Sequence, residues 1–306
     1  MNSRTILVGL LILLARTNSY ACEACGCSMI FWDIGMTPQF ETHQMSLRWQ
    51  NQVYHSFSSM ENKRVAQIGS KEFYHQLDAQ LQWRLHQRWR LMTSIPYAFL
   101  DRELPDESWQ KTGWSDPSVL LQYVALRPKA GSTDQLRYRL TLGLGAKAPW
   151  GETIEGNDEV AEQANFRLST GSWDMLASTQ FVMRYKEWGI ANNIVYSING
   201  TNADDYQYGH RWNATLSLFG LFSKAKSGFM PNVGVLREQA AHDVQRDFYR
   251  RDTGGNYNFL RTGLQWLRPN FSLSVSYDHP VAQDWANGLT EAQSRNAVQF
   301  TYFLKQ

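Results

Sequence analysis

The segment QLRYRLTLGLGAKAP, residues 135–149, alternates apolar and polar side chains from position 136 to position 148. Leucine, tyrosine and alanine occupy one set of alternate positions, and arginine, threonine, glycine and lysine occupy the other. Successive side chains of a β-strand point to opposite faces, so the segment predicts a strand with one apolar and one polar face. Its length suits a tilted strand that crosses a bilayer, which takes roughly 9–11 residues.

The same alternation recurs throughout the chain and predicts an all-β fold. Long and short connections alternate between the segments, and aromatic residues such as Trp83, Trp89, Trp188, Trp212 and Trp266 lie near segment ends. The predicted long connections are 56–71, 101–113, 151–165, 239–255 and 282–294, with 199–205 as the shortest member of the class. A soluble β protein with aromatic core packing is the alternative, but it gives no reason for loops sorted by length. The pattern predicts a transmembrane antiparallel up-and-down β-barrel of about 12 strands, with long extracellular loops and short periplasmic turns. The further segments are 45–50, 73–85, 89–99, 119–125, 173–185, 188–198, 212–222, 229–235, 260–266, 271–277 and 298–304.

The N-terminal residues have the pattern of a secretory signal. Arg4 precedes the apolar run 6–15, and small residues at Ser19 and Ala21 predict cleavage before Cys22. A membrane anchor and a lipidated Cys22 are the alternatives. We therefore expect a cleaved signal peptide at 1–21, a Cys-rich periplasmic segment or partial plug at 22–41, and a barrel at 42–306 in a bacterial outer membrane.

Charge and motif content exclude several classes of function. Loss of Arg4 and Arg16 with the signal peptide leaves equal numbers of basic and acidic residues, so nothing indicates a nucleic-acid partner. The sequence contains no G-x-S-x-G, H-E-x-x-H, Walker or dinucleotide-binding motif, and we predict that the protein is not an enzyme. The expected partners are outer-membrane lipid and a small solute.

The three cysteines of the chain, Cys22, Cys25 and Cys27, form one cluster. Thiolates at this spacing can converge on a soft ion, which predicts a site for Cu(I) or Zn and a periplasmic metal-handling partner. A disulfide with one thiol left over and a lipid anchor are the competing interpretations.

Charged residues on the polar phase of the strands are predicted to line the lumen. A basic surplus inside a pore raises the local concentration of anions. The alternative is that the charges pair across the lumen and fill it. A channel for a small solute is thus one hypothesis, and a closed barrel that binds or assembles partners through its loops or cysteines is the other. The predicted lumen charges are Arg48, Asp78, Arg84, Arg137, Arg139, Lys147, Arg184, Arg211 and Arg261.

Three short motifs carry a resemblance to a known family. They are GWSDP at 113–117 followed by LLQY at 120–123, GLGAKAPWG at 143–151, and LSTGSWD at 168–174. Together they resemble the MetA-type outer-membrane transporter-like barrels, named after a protein of the phenol meta-cleavage pathway. Ser115 stands where that family usually has glycine, and Trp150 where threonine is common. The resemblance implies an outer-membrane barrel, passage of small and often hydrophobic molecules, and no catalytic residues.

Overall fold

Seventeen strand segments build the protein, and the computed structural model describes residues 42–57, 69–128, 135–151, 167–251 and 253–304. Cys22, Cys25 and Cys27 lie outside the described residues. No helix within those ranges is long and apolar enough to cross a membrane. The strands are β1 His43–Ser56, β2 Ser70–Arg84, β3 Trp89–Glu103, β4 Ser108–Trp114, β5 Ser118–Leu126, β6 Leu136–Lys147, β7 Asp174–Tyr185, β8 Trp188–Ile198, β9 Tyr206–Gln207, β10 Arg211–Gly220, β11 Phe222–Lys224, β12 Ser227–Ala240, β13 Asp243–Gln245, β14 Phe248–Arg250, β15 Gly255–Leu267, β16 Phe271–Trp285 and β17 Thr290–Leu304.

The large sheet closes on itself and forms a 12-strand antiparallel barrel. Strand β1 pairs with β17 from His43 opposite Leu304 to Ser56 opposite Thr290, and β10 pairs with β12 to complete the ring. Strands β4 and β5 together occupy one position in the wall, because both pair with β3. Strand β11 follows β10 in a single wall position, because both pair with β12. The predicted fold class and strand number are confirmed.

The alternating segment 135–149 forms β6, and its two sets of alternate side chains lie on opposite faces of the barrel wall. Leu142 and Leu144 are exposed on the outside, whereas Thr141 and Lys147 are buried on the inside. Gly145 lies where β6 approaches β5 closely: a Cβ atom there would sit 2.1 Å from the carbonyl oxygen of Val119. Glycine is therefore the residue that lets these two strands pack at this height.

Large apolar side chains cover the outer surface of the barrel on all sides. A band of this extent needs a hydrocarbon environment, because soluble monomers rarely expose apolar patches larger than a few hundred Å². Outward-facing tryptophans lie near strand ends, as interfacial residues do in membrane barrels. Examples from nine strands, and from the residue just before β7, are Leu47, Trp83, Ile95, Trp114, Leu144, Trp173, Met175, Trp188, Leu218 and Val275.

The prediction of a long loop at 282–294 is wrong, because β16 and β17 include most of these residues. Only residues 286–289 connect the two strands, by way of a short 3-10 turn, Ala286–Gly288. In the pairing of β15 with β16, Phe259 lies opposite Pro280 and Asn258 lies opposite Ala282, so Val281 is an extra residue in β16. In the pairing of β1 with β17, Val53 lies opposite Ser294 and Tyr54 lies opposite Ala292, so Gln293 is an extra residue in β17. Such β-bulges reverse the in-out phase and conceal a strand from an alternation pattern.

Two further features at the same end of the barrel escaped the alternation pattern. Strand β4 occupies the second half of the predicted loop 101–113 and pairs with the C-terminal half of β3, and β9, β13 and β14 form a separate three-stranded sheet. The hairpin between β13 and β14 turns through Arg246 and Asp247, both with positive φ, as a two-residue turn of primed type requires. Strands of two or three residues are too short to show a period in the sequence.

We expect Leu142→Arg to destabilise the barrel by about 2–4 kcal/mol, because it places a charge on the lipid-facing surface. The exposed turn residue Asn270 provides the control, and Asn270→Arg is expected to leave stability unchanged. Urea unfolding of both variants in lipid vesicles, followed by tryptophan fluorescence, measures the difference. Equal stability of the two variants would contradict the assignment of the outer face.

Candidate functional site in the lumen

The two ends of the barrel differ in the connections they carry. We call the end with short connections, at 85–88, 186–187, 221–226 and 268–270, the turn end, and the opposite end the loop end. The first and last wall strands have their outer termini, His43 and Leu304, at the turn end. The strands on either side of all six predicted long connections end at the loop end, as the sequence pattern predicts, although the connection predicted at 282–294 is only residues 286–289.

An aromatic layer fills part of the lumen at the loop end. Its ring contacts join Tyr54 to Tyr74 at 5.4 Å and to Tyr257 at 6.0 Å, and stack Tyr257 on Trp285 at 4.3 Å. Because β1 and β15 are not neighbours in the wall, the contact between Tyr54 and Tyr257 crosses the lumen. The layer narrows the loop-end mouth on the side of β1, β2 and β15. Its members are Tyr54, Tyr74, Ala98, Leu100, Leu168, Leu236, Ala240, Tyr257, Phe259, Trp285, Ala286 and Ala292.

Arg295 connects the aromatic layer to β12, three positions away in the wall. Its Nη1 donates to Oε1 of Glu238 on β12 at 2.6 Å, and its Nη2 donates to the Tyr54 hydroxyl at 2.6 Å. The guanidinium also lies 4.3 Å from the ring centre of Phe259. Both charges of the pair are 2% exposed, so the arginine and the carboxylate are held in low dielectric and depend on each other.

Other charged side chains of the inner face also form pairs. Arg261 on β15 makes two parallel hydrogen bonds to Asp278 on β16, of 2.6 and 2.7 Å. Arg102 lies 3.1 Å from Glu72, which also accepts a 2.6 Å hydrogen bond from the Tyr74 hydroxyl. These ion pairs agree with the alternative interpretation of the sequence, in which charges inside the lumen neutralise each other.

The three motifs of the family resemblance meet in space at the loop end. Nζ of Lys147 lies 2.6 Å from Asp174 and 3.4 Å from Asp116, so one residue from each motif enters the same buried cluster. Asp116 accepts the backbone N–H groups of Trp150 and Gly151 through one oxygen and that of Thr170 through the other. We call the cluster of Asp116, Lys147, Thr170 and Asp174 the rim clamp.

The rim clamp acts on the ionisation of Asp116, which lies between β4 and β5 and outside the strands. Burial alone raises the pKa of this carboxyl, but Lys147 and the hydrogen bonds it accepts outweigh burial and hold the pKa below its usual value of 3.8. The carboxylate therefore contributes stability that is present above about pH 4 and is lost as the pH falls through its folded-state pKa.

Short polar residues line the part of the lumen that the aromatic layer leaves free. Most of them stay half-exposed although they face inwards, which leaves space for solvent beside them. They belong to consecutive wall strands, so they form a continuous surface that we call the polar wall. Its residues are Ser178 on β7, Asn193 on β8, Thr215 and Ser217 on β10, Asn232 and Gly234 on β12, Gly263 on β15, and Ser274 and Ser276 on β16.

The predicted lumen charges divide between the middle of the barrel and its mouths. Arg48, Asp78, Lys147 and Arg261 are buried on the inner face, and Arg48 stands opposite Asp78 in the pairing of β1 with β2. Arg211 is half-buried at the loop end. The remaining four lie at the turn end, half-buried except for the exposed Arg137: Arg84, Arg137, Arg139 and Arg184.

Sequence reasoning missed several buried charges at the loop end. Arg295 escaped because it follows the bulge at Gln293, which shifts the phase that identifies inner positions. Glu72 lies just before the predicted strand 73–85, and Arg102 lies in the predicted loop 101–113, so neither was placed on a strand. Among the described residues, no group of three or more His, Cys, Asp or Glu side chains could hold a metal ion.

Solved structures with a similar fold show to which class of β-barrel this fold corresponds. An outer-membrane channel from Pseudomonas putida F1 matches with a TM-score of 0.64 and 10% identity, over 90% of this chain and 100% of that one. The fold is that of bacterial outer-membrane β-barrels. The transport unit of the autotransporter AIDA-I from Escherichia coli matches at 0.53 and 9% identity, over 92% and 95% of the two chains. The β domain of the Bordetella autotransporter BrkA matches at 0.50 and 12%, over 86% and 100%.

No family model and no curated protein matches the sequence. At identities of 9–12%, the structural similarity establishes the fold of the barrel.

Replacing Arg295 by methionine is expected to cost about 3–5 kcal/mol, since it leaves the buried Glu238 carboxylate without a counter-ion. The double variant Glu238→Gln/Arg295→Met removes both charges and is expected to recover part of that loss. Urea unfolding of the two single variants and the double variant gives the coupling energy. Strictly additive effects would show that the two side chains do not depend on each other.

Proposed function

We propose that the protein is a channel of the bacterial outer membrane through which a small solute passes. The observation that carries the proposal is the polar wall, since short residues on six consecutive wall strands provide a hydrophilic path. A barrel filled by its own side chains would need large residues there. Similarity in fold to an outer-membrane channel from Pseudomonas putida F1 supports the same class.

Arginines at the turn-end mouth favour anions over cations. Arg84, Arg137, Arg139 and Arg184 lie on the inner phase of β2, β6 and β7, close to where solute leaves or enters the lumen. Arg137 and Arg184 stand opposite each other in the pairing of β6 with β7. Fixed positive charge at a pore mouth raises the local concentration of anions.

We expect Ser276→Trp to reduce single-channel conductance to less than about half, because an indole would obstruct the path beside the polar wall. Val275→Trp is the matched control, since the neighbouring residue faces outwards and is exposed there. Planar-bilayer recordings of the two variants and the wild type test the path. Equal conductance of all three would place the path elsewhere, and no conductance at all would reject the channel.

A closed barrel that binds or assembles partners is the second candidate. The aromatic layer favours it, because contacts such as that between Tyr54 and Tyr257 already cross the lumen. The same bilayer recordings separate the two candidates, since a closed barrel gives no conductance steps.

We also propose that Cys22, Cys25 and Cys27 bind a soft metal, Cu(I) before Zn, after export of the chain and removal of a signal peptide. The basis is the spacing of three thiols within six residues of sequence. Titration of the exported protein with Cu(I) against a chromogenic chelator is expected to show binding that the triple Cys→Ser variant lacks. Equal binding by both proteins would remove this part of the proposal.

A further inference from the structure

We propose that Arg167 forms a binding site for a small organic carboxylate at the loop end of the lumen. The side chain is 1% exposed, and its Nε, Nη1 and Nη2 atoms have no hydrogen-bond partner among the residues that the structure describes. A guanidinium that is always charged and is removed from water without hydrogen bonds or a counter-ion is strongly destabilising. A binding site for an anion accounts for such a residue, because the ligand supplies the missing acceptors.

The buried acids near this end of the barrel are engaged by other groups. Asp116 and Asp174 bind Lys147 in the rim clamp, and Glu238 binds Arg295. Asp243 accepts from the Tyr206 hydroxyl and from the backbone N–H of Gly209. Within the part of the chain that the structure describes, none of these carboxylates forms an ion pair with Arg167.

The backbone on the C-terminal side of Arg167 is fixed by two independent contacts. Leu168 packs into the aromatic layer, and Thr170 is held by Asp116 through both its backbone N–H and its hydroxyl. The backbone next to Arg167 is therefore held at the loop end, and the side chain itself is buried there. The position is preorganised, so little conformational entropy is lost when a ligand binds.

The surroundings of the guanidinium indicate the chemical class of the ligand. Its central carbon lies 6.0 Å from the ring centre of Tyr206, and that ring contacts Tyr208 at 5.0 Å. Arginine presents parallel N–H groups that match the two oxygens of a carboxylate. The tyrosine rings offer an apolar surface next to the charge, so an aromatic or short aliphatic carboxylate suits the site better than a neutral molecule or a cation.

This site deepens the proposed channel function and, in assigning the carboxylate as the solute, rests on it. Binding itself does not require conduction, so the two are measured separately. Isothermal titration calorimetry of the purified full-length protein in detergent uses sodium benzoate as the probe and benzyl alcohol as its neutral counterpart. We expect one benzoate per chain and no measurable binding of benzyl alcohol.

Arg167→Gln is expected to weaken benzoate binding by at least about tenfold, since it removes the charge that pairs with the ligand. Arg251→Gln is the matched control, because Arg251 is exposed at the same end and the substitution removes the same charge. Benzoate is also expected to raise the Tm of the wild type and of Arg251→Gln but not that of Arg167→Gln. Heat-modifiable migration on gels establishes that each variant is folded.

Two results would overturn the site: equal benzoate affinity for the wild type and Arg167→Gln, or no benzoate binding by a folded wild type. Planar-bilayer recordings of the same preparations separate this outcome from failure of the channel proposal. Conduction without benzoate binding removes the site and keeps the channel. Benzoate binding without conduction keeps the site and removes the channel.

Discussion

Pairing of β1 with β17 is the interaction on which the rest of the structure depends. In hydrocarbon no water satisfies backbone N–H and C=O groups, so a sheet is stable there only when it has no free edge. The contact between the first and last wall strands removes that edge, and it runs the full length of both strands. Once the ring is closed, each residue of a wall strand must face either lipid or the lumen, and the two-residue period of the strands decides which.

The lumen receives the polar residues, and the way it accommodates them differs around the ring. On the side of β1, β2, β15 and β17, arginines and acids pair and aromatic rings pack between them. The wall strands from β7 to β16 also carry the short residues of the polar wall, between larger buried side chains such as Phe219 and Met230. The lumen thus combines packed regions with a stretch beside the polar wall that has space for solvent.

The rim clamp shows what the motifs of the family resemblance do in this chain. Lys147, Asp116 and Asp174 are separated by tens of residues in sequence, yet they form one buried cluster that also binds the backbone of residues 150, 151 and 170. The cluster fixes where the chain leaves β6 and re-enters β7. The rim clamp also positions Arg167 and Leu168, because they lie just before its residue Thr170 in the chain and Leu168 packs in the aromatic layer at the loop end.

The sequence by itself determined the strand number and, within the strands that alternation identified, the division into outward-facing and inward-facing residues, because a barrel wall has a period of two. Leu142, Leu144 and Lys147 lie on the faces that alternation predicts. Only the tertiary structure decided which charges meet, because pairs such as Glu238 with Arg295 join strands that are not neighbours. It also decided the course of β16 and β17, since bulges at Val281 and Gln293 change the phase locally and leave no periodic signal.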